Sequence, residues 1–321
     1  MKFLLIVVGT IVVANALSTK EQWESFKLNH NKSYAHFLEE NYRLSVFQSN
    51  LKKIEEHNAR YKKGEVSYYM GVTKFADLTA KEFMSILNKQ LGTKPKSHAT
   101  PAQLSDDPVP DSFDWRESGA VLEVKDQGNC GSCWAFSTTG ALEAQNYLTN
   151  KVTLPLSEQE LVDCSRLYGN SGCGGGDMEA AFKYIKSKGL SSEEAYPYEA
   201  KDDTCKRNAS NIVLKVKDFQ TVANNDDSLR RAIATVGPIS IAMQATTHLQ
   251  LYKGGILNDP SCVNYAPFMN HGVLAVGYGT QDDTDYWIVK NSWGTLWGEE
   301  GFFRIQRNTC CITCDASFPR L

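Results

Sequence analysis

Nine cysteines stand in a chain of 321 residues, and the number is odd. At least one of them lacks a partner within the chain, and a lone thiol can do chemistry. The densest cluster is Gln127-Gly128-Asn129-Cys130-Gly131-Ser132-Cys133-Trp134. A Cys-x-x-Cys can be a redox dithiol, but the strand–helix–strand setting of such motifs is missing here. It can be half of a zinc site, completed by Cys311-x-x-Cys314, but five further cysteines in a secreted chain argue for disulfides. A nucleophile fits better. A helical run starts at Trp134, so Cys133 stands at a helix N-terminus, where the dipole and free N–H groups favour thiolate. A neighbouring histidine would complete a thiolate–imidazolium pair.

Six histidines are available. His30, His36, His57 and His98 fall in a front segment of different composition. His248 lies in the polar stretch Ala245 to Gln250 and reads as a surface residue. His271 stands in Met269-Asn270-His271-Gly272-Val273, at the mouth of an apolar strand. Asn291, at the end of another strand, can accept the imidazole N–H. Trp293 and Trp297 follow it, and an indole over that hydrogen bond would exclude water and strengthen it.

The elements that must position these groups are legible in outline. Residues 17–92 are rich in Lys, Glu, Leu and aromatics and hold neither Pro nor Cys. Within them Glu39, Arg43, Phe47, Asn50, Ile54 and Asn58 recur at steps of three and four, one stripe of a helix. Their mixed chemistry predicts a face that packs while making specific hydrogen bonds. From Thr93 to Pro110 four prolines among Ser, Thr, Lys and Asp predict an extended, exposed linker. Beyond it, helices are expected at Trp134–Leu148, Ser157–Cys164, Met178–Lys188 and Asp227–Thr235. Strands are expected at Ile239–Met243, Gly272–Tyr278, Tyr286–Lys290 and Gly301–Gln306. Helices first and strands later indicate an α+β body with two lobes.

Hydrophobic residues at 42% and charged ones at 22% exclude collagen, coiled coil and wholesale disorder. A net charge of -3 excludes an ordinary nucleic-acid binder. The charge is uneven: residues 1–108 carry a net +4 and residues 109–321 a net -7, so the two could attract one another. Lys2, the apolar run Phe3 to Val13 and Ala14-Asn15-Ala16 read as a signal peptide of residues 1–16, too short to span a bilayer. No later stretch is apolar enough to span. Asn31-Lys32-Ser33 and Asn208-Ala209-Ser210 are glycosylation sequons.

Together these motifs resemble the papain-like cysteine proteases, specifically the cathepsin L-like branch in precursor form. Cys130 to Trp134 matches the family's Cys-Gly-[Ser/Ala]-Cys-[Trp/Tyr]. The Glu39 to Asn58 array matches its "ERFNIN" pro-segment pattern. Gly71-x-Thr73-x-Phe75-x-Asp77 matches the companion motif, with Thr73 where Asn is usual. The resemblance implies a two-lobed fold, a helical lobe and a β-barrel-like lobe, behind an inhibitory pro-segment of residues 17–108. The peptidase domain would be residues 109–321.

By the same resemblance Cys133 is the nucleophile, His271 the general acid/base and Asn291 its orienting partner. Gln127 and the Cys133 N–H would form the oxyanion hole. Gly175, Gly176 and Trp297 would meet the substrate. Asp177, Met178, Ala242, Met269 and Asp315 would line the pocket for the side chain two residues before the scissile bond. Two acidic residues there imply tolerance of Arg or Lys, unless both carboxylates point to solvent. Cys130 would pair with Cys173, Cys164 with Cys205 and Cys262 with Cys310. Cys311 and Cys314 stand where relatives carry small residues, and three states stay open for them: mutual pairing, free thiols, or competition for Cys262. The family uses neither metal nor cofactor. The partners implied are protein substrates, the chain's own pro-segment and inhibitors of the cystatin type, with the enzyme a monomer. Activation in acid, within a lysosome or a secreted digestive fluid, is expected.

Overall fold

The computed structural model describes residues 18–88, 91 and 99–321. The expected signal peptide of residues 1–16 and Pro95 of the expected linker lie outside them.

The pro-segment opens with α1 (Thr19–Asn29), started by a reciprocal capping box between Ser18 and Glu21. The long α2 (Phe37–Lys62) crosses it and carries the predicted stripe. The mixed chemistry of that stripe has a physical cause. Phe47 and Ile54 enter the core, while the polar members hold the chain that follows. Asn50 donates to the carbonyls of Ala76 and Leu78, at 2.8 and 2.9 Å. Asn58 exchanges two hydrogen bonds with Met70, in the short strand β1 (Tyr68–Met70). Arg43 reaches the Asp77 carbonyl and the Glu82 carboxylate on α3 (Ala80–Ser85). Residues 99–110 then run extended and mostly exposed, apart from β2 (Thr100–Pro101).

The body begins with β3 (Phe113–Asp114) and has a helical lobe built on α4 (Cys133–Asn150), α5 (Glu158–Cys164) and α6 (Met178–Lys188). Trp134, Leu142, Leu161, Phe182 and Ile185 form its core. A small β4–β5 pair (Leu190–Ser191, Ile212–Leu214) follows. The second lobe holds β6 (Asp218–Thr221), α7 (Asp226–Thr235), β7 (Ile239–Met243), α8 (Thr247–Gln250) and β8 (Tyr252–Leu257). It ends with β9 (His271–Gln281), β10 (Thr284–Lys290), β11 (Phe302–Gln306) and β12 (Asp315–Arg320).

These strands form an open path, β1-β8-β11-β10-β9-β7-β12-β6-β2, with β3 on β9. The barrel-like expectation is thereby narrowed: the ends of the path do not pair with each other. Instead the pro-segment covers both, β1 against β8 and β2 against β6, which leaves neither edge strand of the enzyme open.

Four disulfides are formed: Cys130–Cys173, Cys164–Cys205, Cys262–Cys310 and Cys311–Cys314. The last pair, which the sequence left undecided, is joined within itself. The seam between the lobes is direct. Gly140 of α4 packs on Leu274 of β9, and Ser137 donates to the Val273 carbonyl at 2.7 Å. The first residues of α4 and β9, Cys133 and His271, therefore face each other across the seam.

Candidate active site

Cys133 is the one free cysteine among the described residues, and it is fully buried. Ser132, at the N-cap of α4, gives the helix no side-chain cap, because its hydroxyl is engaged with Tyr198 at 2.6 Å. Within the first turn the Trp134 N–H is directed at the thiol, while the Ala135 N–H returns to the Ser132 carbonyl at 2.8 Å. Cys130–Cys173 anchors the loop in front of it. Gly272 donates its N–H to the Cys133 sulfur at 3.3 Å, which ties the start of β9 to the nucleophile's atom.

His271 Nε2 meets Asn291 Oδ1 at 2.9 Å, and the same oxygen accepts the Ser292 N–H. Trp293 lies over the imidazole, with ring centroids 4.7 Å apart and planes 23° apart. Water is thereby kept from the Asn–His bond. Trp297 stands elsewhere than expected. It packs edge-on behind Trp293, donates to the Leu249 carbonyl and is buried against Tyr252 and Phe303. It supports the covering indole and presents no face to a substrate.

Gln127 is held at both ends of its amide. Ser292 donates to its Oε1 at 2.7 Å, and Nε2 donates to the Cys130 carbonyl at 2.8 Å. One N–H of the amide takes no part in these two bonds. Gly175 has φ of 124°, a conformation open to glycine alone. At Gly176 a Cβ would meet the Trp134 ring at 2.5 Å, so the backbone there can lie close to the helix start only without a side chain.

The pocket residues divide. Met178, Ala242 and Met269 are buried in one apolar cluster, together with Leu91 of the pro-segment. Asp315 opens β12 opposite Ala242 of β7. Asp177 is committed to other work: its carboxylate accepts the Ala180 N–H at 3.0 Å and caps α6.

The pro-segment seals the site. Phe75 and Phe83 pack edge-on against Trp293, at 5.1 and 5.6 Å. Burying each phenyl ring contributes about 1.5–3 kcal/mol. Asn88 then bridges the cleft: its N–H donates to the Asn270 carbonyl at 2.9 Å and its amide to the Gly176 carbonyl at 2.7 Å. Burial pushes the Cys133 thiol up to about 11, although N–H donors from Gly272, Trp134 and Asn88 pull it back. Burial also drives His271 down to about 4, against the pull of Asn291. In the sealed protein burial therefore disfavours charge on both groups.

Several partners escaped the sequence reading. Lys125 binds Glu143 and Glu158 inside the helical lobe, at 2.9 and 2.7 Å. His248, taken for a surface residue, is covered by the pro-segment, whose Tyr68 hydroxyl bonds its Nδ1. Thr73 donates to the Gln250 carbonyl. Asp77 holds Lys32 and Tyr34 within the pro-segment, and Lys74 pairs across the interface with Asp126. Such contacts join residues far apart in sequence, and no local pattern marks them. The one group of metal-type donors among the described residues, Asp259, Cys262 and Cys310, has both its sulfurs in a disulfide.

Comparison with known proteins agrees across the chain. The model for papain family cysteine proteases matches residues 109–320, and that for the cathepsin propeptide inhibitor domain matches residues 23–83. Cathepsin L of Sarcophaga peregrina is 44% identical over 318 residues, covering 94% of this chain and 92% of its own. Procathepsin L of Mus musculus is 41% identical over 335 residues, 98% of each chain. Among solved structures, digestive procathepsin L 3 of the Tenebrio molitor larval midgut superposes with a TM-score of 0.90 at 45% identity. That match covers 95% of this chain and 100% of the other.

Proposed function

Because the chain belongs to the papain family of cysteine proteases, as a cathepsin L-like endopeptidase preceded by an inhibitory propeptide, we propose that Cys133, His271, Asn291 and Gln127 divide its chemistry between them. The supporting observation is the His271–Asn291 hydrogen bond under Trp293, held across the lobe seam from the free thiol. Once the site opens, the Cys133 proton passes to His271. The thiolate attacks the scissile carbonyl, and the oxyanion accepts N–H bonds from Gln127 and the Cys133 backbone. His271 protonates the departing amine, then takes a proton from the water that hydrolyses the thioester. Asn291 keeps the ring in the plane these transfers need.

Residues 1–16 are the leader, 17–108 the inhibitor and 109–321 the enzyme, with cleavage near Pro108 to Asp111. Acid releases the inhibitor, and proton counting limits how. The thiol with neutral imidazole and the thiolate with imidazolium hold the same number of protons. Their interconversion therefore has no pH dependence of its own. The acid response therefore needs a net uptake of protons by the folded precursor as it opens. The reading places the protein in the secretory pathway, acting in a lysosome or a digestive lumen. Among the described residues no helix is long and apolar enough to cross a membrane.

The test is to acidify recombinant precursor and titrate it with an epoxide thiol inhibitor beside Cys133→Ala. The parent should shorten, bind the label and cleave peptides, and the variant should do none of these. Full activity of intact precursor at neutral pH would overturn the scheme. Asp315 supports a second reading, acceptance of Arg in the main specificity pocket, since it opens β12 against Ala242. Arg-Arg reporters should then be cleaved beside Phe-Arg reporters, and Asp315→Ala should abolish only the former.

A further inference from the structure

Cys311 and Cys314 close a four-residue ring that ends one residue before Asp315. Cys311 is buried in the apolar cluster of Met178, Ala242 and Met269, and Cys314 packs against that cluster. Three ties converge on the same point. The Cys262–Cys310 disulfide joins the segment leading to Met269 to the residue before Cys311. Asn264 accepts the Cys311 N–H at 2.9 Å and donates to the Asn308 carbonyl at 2.7 Å. Gln244, two residues beyond Ala242, donates its N–H to the Cys310 carbonyl at 2.8 Å. Cys310 and Cys311 both have left-handed backbone, with φ of 53° and 60°, a conformation that residues with a Cβ adopt only at a cost. Each is held there by its own disulfide.

We propose that the Cys311–Cys314 disulfide is a specificity-determining element of this enzyme. It fills part of the pocket wall that smaller residues would leave open, and it fixes Asp315 in register with Ala242. The pocket for the side chain two residues before the scissile bond is thereby narrowed and stiffened, and bulky side chains are discriminated against. The proposal rests on the reading that Met178, Ala242 and Met269 line that pocket. A change of one methylene in an apolar pocket alters selectivity by about tenfold or more, so removal of two sulfurs from its wall is measurable.

The test uses full-length precursor carrying Cys311→Gly and Cys314→Ser, activated in acid and active-site titrated. Glycine suits the left-handed position, so the backbone has reason to stay. The readout is the ratio of kcat/KM for Trp-Arg and Leu-Arg dipeptide reporters. It should rise at least about threefold over the parent. A smaller change, or a uniform fall on both reporters as expected of a merely structural bridge, would overturn the proposal. If that variant yields no titratable enzyme, Cys311→Ala with Cys314→Ala gives the same readout. Ala242→Leu separates the two levels of the argument. If it leaves the ratio unmoved, the pocket reading fails; if it moves the ratio and the cysteine variants do not, the disulfide proposal alone fails.

Discussion

Two groups of buried ionisable side chains lie on either side of Asn291, and they hold their interior places by opposite means. On one side burial disfavours charge on Cys133 and His271, because the sealed cleft removes water. On the other, Lys125, Glu143, Glu158 and Lys290 line a small cavity together with Asn291. There Lys125 remains charged despite burial, because two carboxylates and the Leu156 carbonyl surround it. Glu143 also takes the Leu156 N–H, and Glu158 the Thr139 hydroxyl. The difference teaches a general point: charge survives in an interior where opposite charge and hydrogen bonds come with it, and is otherwise given up. Latency in this enzyme keeps two groups whose charge burial disfavours beside a lysine whose charge two carboxylates hold.

The sharpest break in that comparison comes from chemistry. His271→Ala in the activated enzyme should lower kcat/KM by about 10⁴-fold or more, since the proton carrier and the nucleophile act as a unit. Steady-state assay against active-site titre checks it. Next comes the charged group. Glu158→Ala leaves Lys125 with one carboxylate and should cost the precursor about 3–5 kcal/mol in urea unfolding. Glu158→Gln should cost less, because an amide still accepts from Thr139. An equal cost would mean that the lost charge carries the whole effect, and a negligible cost for Glu158→Gln would mean that charge is not what holds the group together.

Gln127→Ala should lower kcat by about 10²–10³ with little change in KM, as for a donor that acts in the transition state. The smallest effect concerns pH. The pKa of His271 is depressed in the folded precursor to about 4, so the unfolded chain takes the proton first as pH falls. Stability should therefore be lost between the ordinary value of 6.5 and about 4, by at most about 1.4 kcal/mol per pH unit. Urea titrations of parent and His271→Gln precursors across that window should differ in slope, with the parent the steeper. Parallel slopes would show that His271 is not held neutral.

Much of the site could be read directly because its signals are local. The run Cys130 to Trp134 carries both the thiol and the helix start, and α4 begins at Cys133. The stripe on α2 was legible because helical spacing needs only neighbours three and four residues away. The strand boundaries fell within a few residues because β-branched and aromatic runs end at Gly and Asn. Trp297 was misassigned because Trp293 and Trp297 share one motif, and only packing tells the covering indole from its support. Asp177 read as a specificity residue because its capping bond to Ala180 looks, in sequence, like any acidic residue before a helix.

The sequence by itself determined which residues could carry chemistry, where the four longer helices of the body and four of its strands run, and that a pro-segment precedes the enzyme. Each of these depends on residue type and near spacing. Tertiary structure alone decided that Cys311 pairs with Cys314, that Leu91 and Asn88 enter the cleft, and that Lys125 finds two carboxylates. It also decided that burial disfavours charge on Cys133 and His271 while they are covered. A proton's position depends on dielectric and on charges a few ångströms away, and those neighbours come from segments 18 to 139 residues apart.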